Sequence, residues 1–120
     1  MSQLTVAVIG ASADPSKYGN KSVRAHLKAG WRVFPVNPKG GEIEGLPAFA
    51  RLADVPGGRL DRVSLYVPPA VGLKLLDEIA ERGCGELWLN PGSESDELVA
   101  AAEEKGLHCV VACSIVDVEE

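Results

Sequence analysis

The feature that most constrains this chain is a series of short apolar segments, the first of them rich in β-branched residues, that recur with helix-like stretches between them. Thr5-Val6-Ala7-Val8-Ile9 stops at Gly10, and Arg32-Val33-Phe34-Pro35-Val36 stops at Asn37. Arg62 to Val67 stops at Pro68-Pro69, Glu86 to Leu89 stops at Asn90, and His108 to Ala112 is the last of the series. Runs of this kind, with little polar alternation, suit strands covered on both faces. The intervening segments carry helical spacing. Lys21 to Ala29 places Val23 and Leu27 one turn apart before Gly30, and Ala70 to Arg82 gathers Leu73, Leu76, Ile79 and Ala80 before Gly83. Ser93 to Lys105 has a Ser93/Asp96 capping pattern, core positions Leu98, Ala101 and Ala102, and Gly106 as its stop. Between Asn37 and Gly58 the chain is rich in glycine and proline, and only Ala48 to Ala53 has room for a helical turn or two. The acidic tail reads as frayed.

Repeated strand–helix–strand units call for parallel strands joined by right-handed crossovers. The expectation is therefore an α/β chain forming a single Rossmann-like domain over residues 1–120, with a mostly parallel five-stranded sheet and helices on both faces. Pro35 cannot donate to a ladder, which places the second strand near a sheet edge or at a bulge. Ligands in such sheets bind outside the carboxyl ends of the strands, near the point where strand order reverses. Here those ends are Gly10, Asn37, Val67 and Asn90.

Bulk properties narrow the partner. The chain has 17 acidic against 12 basic residues, a formal net charge of −5. A basic surface for nucleic acid or anionic membrane is thereby disfavoured. No apolar stretch reaches the roughly 18–20 residues of a membrane span, and the amino terminus carries no basic region of the signal-peptide kind. Cys84, Cys109 and Cys113 are odd in number and lack C-x-x-C spacing, so free thiols in a reducing, cytoplasmic setting are expected.

The four loops at the strand ends hold the candidate chemistry. Gly10-Ala11-Ser12, followed by Pro15 and Tyr18, supplies small residues ahead of a helix N-terminus, an arrangement that lets backbone amides approach a phosphate. It lacks G-x-G-x-x-G, because Ser12 and Pro15 occupy the later glycine positions, so a plain tight turn is an alternative. At the second strand end an NAD site wants an acid for the ribose hydroxyls. The chain has Asn37-Pro38-Lys39 there, which suits a phosphorylated ribose, as in coenzyme A or NADP; a solvated lysine in a glycine turn is the alternative. Val67-Pro68-Pro69 makes a stiff apolar turn that could wall a nucleotide or simply start a helix. Leu89-Asn90-Pro91-Gly92-Ser93 brings an amide, a glycine and a hydroxyl to another helix start.

Taken together these segments resemble the CoA-binding domain family, the small stand-alone proteins related to the amino-terminal domain of the succinyl-CoA synthetase α subunit. Val6 to Ser12 with Pro15 is similar to the stand-alone family's opening motif, and VFPVNPKGG at 33–41 to its second-strand motif. Tyr66-Val67-Pro68-Pro69 and the turn at Asn90 to Gly92 look more like the synthetase subunit. The likeness runs over roughly residues 4 to 113. It implies a small nucleotide ligand, coenzyme A or an acyl-CoA. Gly10, Ala11 and Ser12 would face the phosphates, with Pro15 and Tyr18 in the same loop. Asn37, Pro38 and Lys39 would lie at the ribose phosphate, Val67 and Pro68 against the nucleotide, and Leu89, Asn90 and Pro91 beside the pantetheine or pyrophosphate. A homo-oligomer or a partner subunit is compatible with the family. The synthetase's phosphohistidine lies on a second domain that has no counterpart here.

No acid/base constellation accompanies the loops. His26 lies mid-helix and reads as a surface or boundary residue. His108 and Cys109 are adjacent, so in a strand they face opposite ways, and with Cys113 they are poorly spaced for a metal. Ser12 lacks the G-x-S-x-G elbow of a serine nucleophile. Cys84, between two glycines at the amino edge of the sheet, could oxidise only if exposed. The sequence thus favours a binding module without catalytic apparatus of its own, over an NADP-binding reductase or a CoA-ligase fragment completed by a partner chain.

Overall fold

The computed structural model describes residues 3–119. Its core is a five-stranded parallel sheet of β1 (Thr5–Ile9), β2 (Arg32–Val36), β5 (Leu60–Leu65), β6 (Cys84–Leu89) and β7 (Cys109–Val111), ordered β2-β1-β5-β6-β7. From β1 the chain first builds outward to β2 and then crosses back to β5, so strand order reverses beside β1. Helices α1 (Tyr18–Lys28) and α4 (Ser114–Glu119) contact each other on one face, and α2 (Pro69–Arg82) pairs with α3 (Asp96–Glu104) on the other. Side chains along β1 alternate accordingly. Ala7 and Ile9 join the large core with Leu65, Leu76, Leu87 and Leu98, whereas Val6 and Val8 pack with Val23 of α1. Each fully buried aliphatic side chain of this kind contributes roughly 1.5–3 kcal/mol relative to exposure.

Pro35 does lie on an edge strand. Its carbonyl accepts from Phe49 N–H at 2.9 Å, on the side away from β1, so the missing N–H falls on the outer side and costs the sheet no bond. The segment from Ala48 to Ala53 is not a helix. A two-stranded hairpin, β3 (Glu42–Ile43) and β4 (Leu46–Pro47), precedes a parallel bridge from Phe49 to Val36, and a single 3₁₀ turn covers Leu52–Asp54. Phe49 instead exchanges backbone bonds with β2, its N–H donating to Pro35 O and its carbonyl accepting from Asn37 N–H, both at 2.9 Å, which holds the start of this stretch extended.

Three further expectations are corrected. Helix α1 begins at Tyr18 rather than Lys21, and its buried face is Gly19, Asn20, Ser22, Val23 and His26, with Leu27 on the exposed side. Helix α3 is capped by Ser95, whose hydroxyl accepts from Leu98 N–H at 3.0 Å; Ser93 lies outside the helix. The tail is not frayed over its described length but forms α4, pinned by Ser114 and Asp117.

The sheet face toward α1 and α4 is polar where the apolar runs suggested none. Arg62 on β5 is 4% exposed and sits between the Trp31 and Trp88 rings, 4.6 and 4.3 Å from their centroids. It donates to Glu86 at 3.1 Å and Asp117 at 2.9 Å, with His26 Nε2 at 3.3 Å. Beside it Ser64, Asn90 and Ser114 form a buried hydrogen-bonded set joined by the Tyr66 hydroxyl. These contacts fasten α4 to the sheet.

Candidate functional site

A cleft of about 370 Å³ opens where the strand order reverses, lined by Gly10, Ser12, Lys17, Tyr18, Gly19, Tyr66, Val67, Pro68, Pro91, Gly92 and Ser93. A narrower apolar slot of about 190 Å³ adjoins it, sharing Gly10 and Val67 and continuing past Ile9, Val36, Pro38, Leu52, Val71 and Leu75 to Arg51 and Glu78. The two form one path across the carboxyl ends of β2, β1, β5 and β6.

Glycine is required at both ends of the β1–α1 connection. A Cβ on Gly10 (φ +89°) would collide with the Tyr66 carbonyl, and one on Gly19 would collide with the Gly10 carbonyl. Gly19 thus lets the helix start approach the strand end closely, a role the sequence motif places earlier in the loop. Within the loop, Asp14 N–H donates to Ser12 Oγ at 3.0 Å, and the Asp14 carboxylate accepts from Ser16 N–H and Oγ at 2.9 and 2.8 Å. Those Ser16 bonds hold the Asp14 pKa below the ordinary carboxylate range. Gly10 and Ala11 N–H both donate to Val36 O, at 3.1 and 3.3 Å. The amides of Ser12, Ala13, Tyr18 and Gly19 have no acceptor among the described residues. The last two open α1, whose N-cap Lys17 provides no side-chain hydrogen bond. Free N–H groups at a helix start favour an anion.

The side-chain amide of Asn37 donates to Ala11 O at 2.8 Å, while its oxygen accepts from Lys39 N–H at 2.8 Å. In a trans peptide a carbonyl and the next N–H point in opposite directions. Fixing the Ala11 carbonyl therefore turns the Ser12 N–H away from Asn37. Asn90 is 1% exposed and fully committed: its Nδ2 donates to Ser64 Oγ and Leu65 O, both at 2.8 Å, and its Oδ1 accepts from Ser114 N–H and Oγ at 2.9 and 3.0 Å.

The sequence-derived residues therefore divide. Gly10, Ser12, Tyr18, Val67, Pro68 and Pro91 line the cleft, and Pro38 lines the slot. Ala11, Leu89 and Asn90 are buried and present no side chain to the cavity, because each packs or hydrogen-bonds inside the fold. Asn37 shapes the loop from behind. Pro15 is exposed, and its carbonyl accepts from Arg24 at 2.9 Å. Lys39 is exposed next to Pro38 and outside both cavity linings. Gly92 and Ser93, read from sequence as the glycine and hydroxyl of the fourth loop, and Tyr66, read as part of the family motif, also line the cleft, whereas Lys17, Gly19 and Arg51 were not singled out from sequence. The four-residue phase between Gly19 and Val23 could have signalled that the helix begins earlier.

His26 and Cys84 lie apart from the cleft, whereas Tyr66 lines it. His26 is wholly buried, not at the surface, and burial lowers its pKa. Cys84 is 6% exposed, and burial pushes its thiol up to about 11, a poor state for oxidation. Burial also raises the Tyr66 hydroxyl's pKa.

Fold and cavity define an α/β domain of the doubly wound type, with a cleft at the carboxyl ends of its strands and unpaired amides at the start of the first helix. The chain belongs to the CoA-binding domain family, whose sequence profile matches residues 4–119. It is 32% identical over 117 residues to the alpha subunit of the ADP-forming acetate–CoA ligase II of Pyrococcus furiosus, an alignment covering 88% of this chain and 25% of the subunit. The chain thus spans a quarter of that relative's length. Among solved structures, a conserved hypothetical protein of P. furiosus superposes with a TM-score of 0.82 at 34% identity, covering 97% of this chain and 99% of the other. A dinucleotide-forming acetyl-coenzyme A synthetase of Ca. Korarchaeum cryptofilum, in complex with phosphate and ADP, gives 0.77 at 30% identity over 90% of this chain and 25% of that one. No helix among the described residues is long and apolar enough to cross a membrane.

Proposed function

We propose that this chain binds coenzyme A, free or as an acyl thioester, without another chain to complete the site. The observation that carries the reading is the cleft itself: unpaired amides at the start of α1 meet an apolar slot at Gly10 and Val67. The diphosphate is assigned to the amides of Ser12, Ala13, Tyr18 and Gly19, with Lys17 alongside. The slot between Val36, Leu52, Val67 and Leu75 accepts the adenine. Pro38 and Arg51 mark its outer end, where Arg51 and neighbouring Lys39 supply positive charge for the 3′-phosphate. The pantetheine arm runs past Pro68, Pro91, Gly92 and Ser93. Asn37 at the second strand end supports a phosphorylated ribose over NAD, since it offers no carboxylate to the ribose hydroxyls.

Among the side chains lining the cleft only Lys17, Tyr18 and Tyr66 carry an ionisable group, and the Tyr66 hydroxyl is held by Ser114 at 3.0 Å. That supports binding rather than catalysis by this chain alone. A second reading, a CoA-binding part that works with a ligase partner, is favoured by the relative named as an alpha subunit. Calorimetric titration of the isolated protein with CoA, acetyl-CoA, 3′-dephospho-CoA, NADPH and NAD tests the proposal. CoA should bind more tightly than 3′-dephospho-CoA, and NAD weakest. NADPH or NAD binding as tightly as CoA would overturn it.

A further inference from the structure

Asn20, in the first turn of α1, is wholly buried although polar, and its amide laces three segments together. Its Nδ2 donates to Ser12 O at 2.9 Å and to Glu44 Oε2 at 3.1 Å, while its Oδ1 accepts from Arg24 Nε at 2.7 Å. A guanidinium can only donate, so the amide's orientation is fixed. Arg24 also donates through Nη2 to Pro15 O at 2.9 Å. Both carbonyls thus held belong to the loop between β1 and α1. Glu44 reaches Asn20 from the β3–β4 turn, where it is the one non-glycine residue with positive φ (+50°) among those described. Such a backbone position costs energy and persists only where its surroundings enforce it.

We propose that Asn20 is a positioning residue of the phosphate cradle, braced by Glu44 and Arg24. By holding the Ser12 carbonyl it turns the Ala13 N–H the opposite way, toward the diphosphate. Asn37 does the same to the preceding peptide through the Ala11 carbonyl. Two successive amides are thereby presented without being spent inside the protein, and the hairpin after β2 becomes part of the site although it lines neither cavity. The inference rests on the CoA reading of the cleft.

The test is calorimetric affinity for CoA and 3′-dephospho-CoA, with melting curves, on the full chain and on Asn20→Ala and Glu44→Gly. Asn20→Ala should weaken CoA about tenfold, the scale of one or two lost hydrogen bonds. The same loss should appear with 3′-dephospho-CoA, because the diphosphate is common to both. Glu44→Gly relieves the strained backbone, so the protein should melt no lower than wild type while binding CoA about threefold more weakly. A purely structural role predicts the reverse: lower melting for Asn20→Ala with unchanged affinity in the protein that remains folded. Should Asn20→Ala fail to fold, unchanged CoA affinity in Glu44→Gly overturns the inference, and weakened affinity with an intact melt supports it. Wild-type protein that does not bind CoA overturns the CoA reading and this inference with it; wild type that binds while both variants match it overturns this inference alone.

Discussion

Under the proposed CoA reading, Arg51 and Lys39 are the two candidates for a role that the sequence assigned to lysine alone. Arg51 lines the slot, and its side chain is 70% exposed with Glu78 3.8 Å away, too loose a pair to hold it. Lys39 stands beyond Pro38 on the exposed turn. A charge-assisted contact to phosphate is worth about 1.5–3 kcal/mol. Removing the cation that meets the 3′-phosphate should therefore weaken CoA about ten- to a hundredfold and leave 3′-dephospho-CoA unaffected. Titrating Lys39→Ala and Arg51→Ala with both ligands identifies that residue, and neither should melt appreciably lower than wild type. Ala11 shows the opposite case. It is 1% exposed among Val6, Val8, Val23, Val33 and Ile43, with its N–H and carbonyl both bonded inside the fold. Ala11→Leu should overpack that cluster at a cost of about 1–3 kcal/mol, read as a lower denaturation midpoint. Loss of CoA binding with an unchanged midpoint would instead put Ala11 against the ligand.

At the scale of elements, the strands were legible because each is a short apolar-rich run, and four of the five stop at or near a glycine, asparagine or proline. The start of α1 was not, since Gly19 and Asn20 are poor helix formers and Lys17 is an unusual cap; their reasons are the Gly10 contact and the Ser12 bond, both tertiary. Nor was α4, whose Ile115, Val116 and Val118 favour strands and whose position depends on Ser114 and Asp117 meeting residues far away in sequence. The β1–α1 loop and the proline-rich wall were readable as a local pattern. The apolar slot was not, because Leu52 and Leu75 reach it only through the folded hairpin and α2. The α3 cap gives a local test away from the site. Ser95→Ala should destabilise the protein by roughly 0.5–2 kcal/mol, measured by urea denaturation, and CoA affinity should not move because Ser95 lines neither cavity.

On the scale of the whole molecule, the cleft end and the opposite end of the sheet are joined along one face. Tyr66 lines the cleft and bonds Ser114, Ser114 bonds Asn90, and three residues further along α4 Asp117 bonds Arg62 beneath His26. His26 Nδ1 lies 2.8 Å from the Ser22 carbonyl and so carries the proton, leaving Nε2 to accept from Arg62 Nη1 at 3.3 Å. A second proton on Nε2 would face the guanidinium. Burial is the main cause that lowers the His26 pKa, with Arg62 repulsion adding to it, while the Ser22 carbonyl and Asp117 act in the other direction. Glu86 completes the charged surroundings through its own bond to Arg62. Because the folded pKa lies below the unfolded value of about 6.5, the unfolded chain binds the proton first. The stability from neutral His26 is thus complete above that pH and is lost as pH falls through the folded pKa. The melting temperature should fall on acidification from pH 7 toward pH 5, and more shallowly in His26→Gln, which forgoes the titration at some cost in stability at neutral pH. Equal slopes in the two proteins, measured by circular dichroism melts across that range, would show that His26 does not govern the acid limb.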